Sequence, residues 1–415
     1  MSGRSVTMLS ALRALAYSST LAMLGVVLVA TQGEAETVDR APLRTISVSG
    51  GTVWGVAADH EGLLYVTRED NAVAVYAPTA TGAATPVRVL QGARTGLNRP
   101  RQPAIDPQGR LLVPNGAYDH VLVFPAGASG NASPVRVLRE GLNSPLAVAV
   151  DRGGRIYATN YDDDSVTVYE PTGDDASADG TPIRTIRGPA TGLDTPTGLT
   201  IGPNGDLYVA SYVNRSVSVF SAGSNGNIAP KRTITSEDAL YGPESVAVDS
   251  SGNIYVTNFE GGVAVFGPGA QGETSPKMHL VGAQTGLRGS FGAVLSPKRL
   301  VTVANHGLST VTTYRPLVPL AVPSGVRNLV VKGTRAAVVR PVDWAPPVND
   351  GGAPVTSYRV EVRKNGNLVL ARTVDASQVR LRRADLVAGR LSIQVRAKNS
   401  VGFGAPIRKL FVVRK

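Results

Sequence analysis

The stretch APLRTISVSG, residues 41–50, decides the fold. It reads as one short strand, LRTISV, entered through Pro42. The same signature returns as PVRVL at 86–90 and 134–138, PIRTI at 182–186, PKRTI at 230–234 and PKMHL at 276–280. Each of those five closes a longer unit. The copy at 42–46 has no unit before it.

The units align on their second strands: LYVTR (64–68), LLVPN (111–115), IYATN (156–160), LYVAS (207–211), IYVTN (254–258) and VTVAN (301–305). Their spacings are 47, 45, 51, 47 and 47 residues. A first strand such as SVAVD (245–249) comes before, and a third such as VSVF (217–220) comes after. Large apolar residues alternate with small or polar ones, the pattern of half-buried antiparallel strands. Four strands in about 45 residues describe a propeller blade. A linear array has the same period, but the sixth unit ends at VTTYRP (311–316) without a fourth strand. In a ring, the orphan strand supplies it and closes the circle; an open array leaves it without a partner. Closure also protects strand edges.

PTGLTIGPNGDLYVAS (196–211) and PESVAVDSSGNIYVTN (243–258) resemble the NHL-type repeats of six-bladed propellers. The resemblance covers residues 42–316 and implies fold, not function. From Pro323 the pattern changes. Trp344 in W-x-P-P, Tyr358 in SYRVEV and VRAKNSVGFG resemble a fibronectin type III domain over 323–415. Leu391 stands where such domains usually carry a tyrosine, so their corner hydrogen bond is not expected here. The expected fold is all-β: a six-bladed β-propeller whose N-terminal strand closes the last blade, then a fibronectin type III sandwich. Residues 317–322 are a Pro-rich, semi-rigid linker.

With 415 residues, two domains fit the length. There is no cysteine, which removes disulfides and thiolate chemistry. Arg4 and Arg13 precede the uncharged run 14–30, and Gly33 and Ala35 give a small-x-small pattern. Residues 1–35 read as a signal peptide, with an uncleaved anchor as the alternative. A secreted or cell-envelope location follows, with no membrane span after cleavage. The net charge of +11 is uneven: residues 317–415 hold 18 Lys and Arg against 5 Asp and Glu. That basic segment could attract anionic envelope polymers. The outer-strand arginines read as edge protection, and no aromatic interleaving supports specific nucleic-acid binding.

By analogy with the family, two rings of residues face the mouth of the central channel. Arg68, Asn115, Asn160, Ser211, Asn258 and Asn305 end the second strands. Trp54, Arg101, Leu146, Thr197, Glu244 and Phe291 begin the first strands. The ligand-binding candidates are Trp54, Arg68, Arg101, Asn115, Asn160, Glu244, Asn258, Phe291 and Asn305. Arginines beside an aromatic wall suit a polar or anionic group on a partly apolar ligand. The asparagines also fit a purely structural role at strand ends. Propellers resembling gluconolactonases hold a divalent cation at the first-strand ring, but here that ring has one carboxylate, Glu244, and no metal site is expected. YDDDS (161–165) lacks the spaced oxygens of a calcium loop. A streptogramin-lyase-like activity would need a catalytic histidine; His120 and His306 lie on mouth-side loops, without an evident acid partner. No cofactor is expected. The expectation is a non-enzymatic binding protein for a protein, polysaccharide or small polar ligand. The fibronectin-like domain would serve as spacer or envelope contact. The alternatives are a propeller lyase or lactonase, and a structural envelope protein.

Overall fold

The computed structural model describes residues 35–171, 180–331, 342–351, 354–377, 380–381 and 389–413. The expected signal peptide, Ala35 apart, and a second Asp-rich stretch, GDDASAD (173–179), lie outside these residues. Among the described residues, regular structure is β apart from three 3-10 turns. None of their helices is long and apolar enough to cross a membrane.

Strands between Glu36 and Tyr314 form six sheets of four or five strands each. One sheet runs Val53–Ala58, Leu64–Arg68, Ala72–Tyr76, Arg88–Leu90, each strand antiparallel to the one before. Innermost strands of successive sheets pack side by side, and the last, Ser290–Leu295, packs against the first, Val53–Ala58. The sheets therefore close into a β-propeller. Glycine permits the close approach: a Cβ on Gly292 would lie 3.0 Å from the Gly55 Cα, and one on Gly55 would lie 2.6 Å from the Gln102 Cα.

The orphan strand is the outer strand of the last sheet. Arg44–Ser47 pairs antiparallel with Thr310–Tyr314, placing Arg44 opposite Thr313 and Ile46 opposite Val311. Ile46 is buried in the core between this sheet and the first. A further strand, Glu36–Val38, lies before the boundary expected at residue 42. It pairs parallel with Met278–Leu280, the outer strand of the neighbouring sheet. Elsewhere the Gly-rich loops make this parallel contact, through Ile46–Gly82, Leu90–Gly130 and Ile186–Gly226 bridges. Asp39 Oδ1 accepts a hydrogen bond from the Gln284 amide at 2.8 Å, as Asn131 Oδ1 does from Arg94 (2.7 Å) and Asn227 Oδ1 from Ala190 (2.8 Å). The N-terminal segment thus stitches two sheets, not one.

Local chemistry explains the turns. Asp106 Oδ1 accepts from the amides of Gln108 and Arg110, each at 2.9 Å, and Asp249 Oδ1 from those of Ser251 and Asn253, also at 2.9 Å. These side-chain bonds stand in for missing backbone partners in the turn between first and second strands. The outer-strand arginines have a specific role besides edge charge. Arg88, Arg184 and Arg232 donate to the hydroxyls of Tyr65, Tyr157 and Tyr208 at 3.1, 3.3 and 3.2 Å.

The C-terminal strands form a three-stranded and a four-stranded sheet. Their core includes Val342, Trp344, Tyr358, Val360, Leu391, Ile393 and Val395. Trp344 and Tyr358 meet edge to face with centroids 5.4 Å apart. Leu391 is buried in this core, an apolar side chain without a hydroxyl to donate. The linker is anchored at both ends. Leu317 is buried among propeller residues, while the Ala321 amide donates to Gly351 O at 2.8 Å. Ser250 and Ser251 of the propeller donate to the side chains of Asp350 and Asn349, each at 2.9 Å.

Candidate functional site

At one end of the ring lies a cavity of about 460 Å³. All six first-strand residues line it: Trp54, Arg101, Leu146, Thr197, Glu244 and Phe291. A local backbone feature aims them there. In five of the six first strands the pairing register shifts at this point: between Val53 and Gly55, Pro145 and Val148, Pro196 and Leu199, Pro243 and Ser245, and Ser290 and Gly292. The lining residue sits within each irregularity. A bulge redirects a side chain that regular alternation would turn elsewhere. The remaining first strand is shortened to Ala104–Ile105, because Pro100 and Pro103 lack the amides a full strand needs. Gln102 instead crosses the ring, its Nε2 donating to Ser245 Oγ at 2.9 Å.

The second-strand ring does not line the cavity. Asn115 Oδ1 accepts from the Asn98 amide at 2.6 Å, and its Nδ2 donates to Gly96 O at 2.8 Å. Asn160 Oδ1 accepts from the Asn143 amide (3.2 Å) and Asn258 Oδ1 from the Tyr241 amide (3.0 Å). Asn305 Oδ1 accepts from Ser290 Oγ (3.2 Å). These four buried amides latch the entry of the first strand to the end of the second. Arg68 is also turned away from the cavity, held by Asp70 through two hydrogen bonds of 2.9 and 2.6 Å.

The residues one place further on face the cavity instead: Gly116, Tyr161, Tyr212 and Phe259 follow Asn115, Asn160, Ser211 and Asn258. The sequence reading missed them. The recurrence of aromatics after the strand ends was the available signal. They extend an aromatic wall. Phe291 meets Trp54 at 5.1 Å and Phe259 at 5.7 Å between centroids, and Phe259 meets Tyr212 at 6.2 Å. His306 packs behind this wall, 4.2 Å from Trp54, with Nδ1 3.1 Å from Val53 O. His120 is taken up by Tyr118 O and the Asn115 amide, and burial lowers its pKa. Neither histidine bonds a carboxylate among the described residues.

The electrostatics centre on Arg101 and Glu244. The Arg101 guanidinium lies 3.8 Å above the Trp54 ring, a cation–π stack. Burial lowers its pKa, the neighbouring Arg99 lowers it further, and Glu244 opposes both. Glu244 is 7% exposed. Burial pushes its carboxyl up to about 8, against the opposing pull of Arg101. No hydrogen bond or ion pair reaches either side chain from another described residue. YDDDS is occupied by its own structure: Asp162 accepts from Ser144 Oγ, Asp163 from Asn143 Nδ2 at 3.1 Å, and Asp164 from the Thr195 amide at 2.7 Å.

A raised carboxyl pKa in the folded state makes a definite stability claim. The contribution of Glu244 is fully present below its unfolded pKa of about 4.5 and is lost as pH rises towards about 8. Glu244→Gln removes that loss. The melting temperature of the variant should match the wild type near pH 4.5 and exceed it increasingly up to pH 8. A difference that does not change with pH would contradict the assigned environment of Glu244.

Comparison with known proteins adds family context. Residues 138–280 match the family model described as SMP-30/Gluconolactonase/LRE-like region, less than half of the chain. No curated protein matches. Among solved structures, the chain is similar to the WD40 beta propeller domain of Doa1 (14% identity, TM-score 0.47), covering 64% of this chain and 79% of that one. It is similar to a streptogramin B lyase (11%, TM-score 0.45), covering 68% of this chain and 90% of that one. It is also similar to the extracellular domain of a putative one component system from B. thetaiotaomicron (10%, TM-score 0.43), covering 92% of this chain and 59% of that one. The family description names gluconolactonases, so it does not support the expectation that the chain lacks enzymatic activity. The divalent cation implied by that resemblance does not fit the donors present. The first-strand ring supplies one carboxylate beside Arg101, and the asparagine amides are engaged in the latches. Among the described residues, no group of three His, Asp or Glu is placed to hold a metal ion.

Proposed function

We propose that this is an exported six-bladed propeller of the NHL type that binds a small ligand at its channel mouth, releases it unchanged, and carries a C-terminal fibronectin type III domain. The observation that carries this reading is the cavity itself. Its volume falls in the range of about 300–1,000 Å³ typical of small-ligand sites. It combines an apolar wall with Arg101 and Glu244, which the described residues leave unpaired, and with the exposed Arg99. The boundaries proposed are 1–35 for the leader, 42–316 for the propeller, to which the strand Glu36–Val38 also belongs, 317–322 for the linker and 323–415 for the C-terminal domain. That basic domain serves as a spacer or leans on an anionic envelope polymer.

The family match over 138–280 favours a second reading, a lactonase-type enzyme, and Glu244 lies within the matched stretch. A ligand screen by thermal shift separates them. The binding reading expects a ligand recovered unchanged after incubation. It also expects affinity to fall at least tenfold in Arg101→Ala with Phe291→Ala and to hold in Arg88→Ala with Arg184→Ala. Turnover of a lactone, abolished by Glu244→Gln, would replace binding with catalysis. Equal losses in both double variants would remove the cavity from the account. Both the melting temperature and the binding should survive EDTA. A drop in melting temperature that calcium restores would establish a metal site.

A further inference from the structure

Besides the exposed Arg99, the cavity carries two side chains that no described residue pairs, Arg101 and Glu244, which are opposite in sign once Glu244 is ionised. The Arg101 guanidinium is half-buried and rests on Trp54. The Glu244 carboxyl is more than nine-tenths buried at the edge of the same space. They form no ion pair with each other, and no other described residue bonds to either side chain. A buried charge without a partner is costly, so the Glu244 carboxyl holds its proton when alone and ionises when a ligand supplies a counter-charge. The same cavity is walled by the edge-to-face series Trp54, Phe291, Phe259 and Tyr212. An aromatic wall favours a flat or apolar body and also tolerates an organic cation against its ring faces.

A simple anion would satisfy Arg101 and leave Glu244 alone. A simple amine would satisfy Glu244 and meet Arg101 as a like charge. One molecule carrying both signs answers both. Resting on the channel-mouth reading above, we infer that the cavity takes a small zwitterion of the α-amino-acid type with an apolar or aromatic side chain, its ammonium on Glu244 and its carboxylate on Arg101. The aromatic wall takes the side chain, while Gln102, tied to Ser245, limits how deep the ligand can go.

The test uses the full chain and four probes by isothermal titration at pH 8: L-phenylalanine, its N-acetyl derivative, 2-phenylethylamine and D-glucose. L-Phenylalanine should bind tightest, with each compound lacking one charge at least tenfold weaker and glucose weaker still. Glu244→Gln should weaken L-phenylalanine at least tenfold and leave N-acetyl-phenylalanine within about twofold, since that probe carries no ammonium. The comparison among probes uses the wild-type protein alone, so it stands even where a variant folds poorly. N-acetyl-phenylalanine binding as well as phenylalanine, or glucose alone binding, would overturn the zwitterion. The channel mouth would still stand as a site if Arg101→Ala with Phe291→Ala abolished that binding. Binding of none of the four would also overturn it, and the channel-mouth reading would then rest on the broader screen.

Discussion

A chain beginning at Val48 should melt about 10 °C or more below the intact protein, or aggregate before it melts. The truncation removes Arg44–Ser47 and Glu36–Val38 together, so two sheets lose their outermost strands. Loss of a buried isoleucine such as Ile46 costs about 2–5 kcal/mol by itself. For a domain of this size, each kcal/mol is worth about 2–4 °C. The exposed edge of Thr310–Tyr314 then becomes a template for pairing with another chain. Removing only residues 36–39 should cost less, because that parallel strand has three residue pairs and only Val38 packs on a core. Calorimetry on both truncations checks the order. An unchanged melting temperature in the longer one would contradict ring closure.

The second large effect is expected at Arg299. Its guanidinium and the Asp249 carboxylate form a close ion pair buried between neighbouring sheets, with side chains 4% and 1% exposed. Tyr255 contributes its hydroxyl to Asp249 at 3.2 Å. Arg299→Ala leaves the carboxylate buried without its counter-ion, at a cost of about 3–5 kcal/mol. Arg299→Met paired with Asp249→Asn should lose less than Arg299→Ala, because no lone charge remains. Urea denaturation of the three proteins gives the comparison. A loss below about 1 kcal/mol in Arg299→Ala would show the pair to be hydrated, like a surface bridge.

Ring closure was legible at LRTISV because five copies of the motif have a preceding unit and one does not. The strand Glu36–Val38 was not legible: three residues carry no periodic signal, and a parallel contact needs no matching pattern in its partner. The first-strand ring was legible at all six positions, because the alignment brought each to the same place in its repeat. The second-strand ring was read one residue too early. Asn160 and Asn258 turn inward to hold the backbone, and the residues after them, Tyr161 and Phe259, carry the surface. Arg68 was read as a mouth residue, but its neighbour Asp70 captures it, a pairing that spacing alone could not choose over Glu69. Glu244 stood out as the single carboxylate of its ring. Its burial, which raises its pKa, has no signature in the repeat pattern.

Hydrogen–deuterium exchange with and without a bound ligand tests the central claim most directly. A ligand at the channel mouth should slow exchange in residues 97–102, 143–147, 240–245 and 289–292, which enter the first strands from different sheets, and leave 327–331 and 357–364 unchanged. Slowing confined to the outer strands or to the C-terminal sheets would contradict a channel-mouth site.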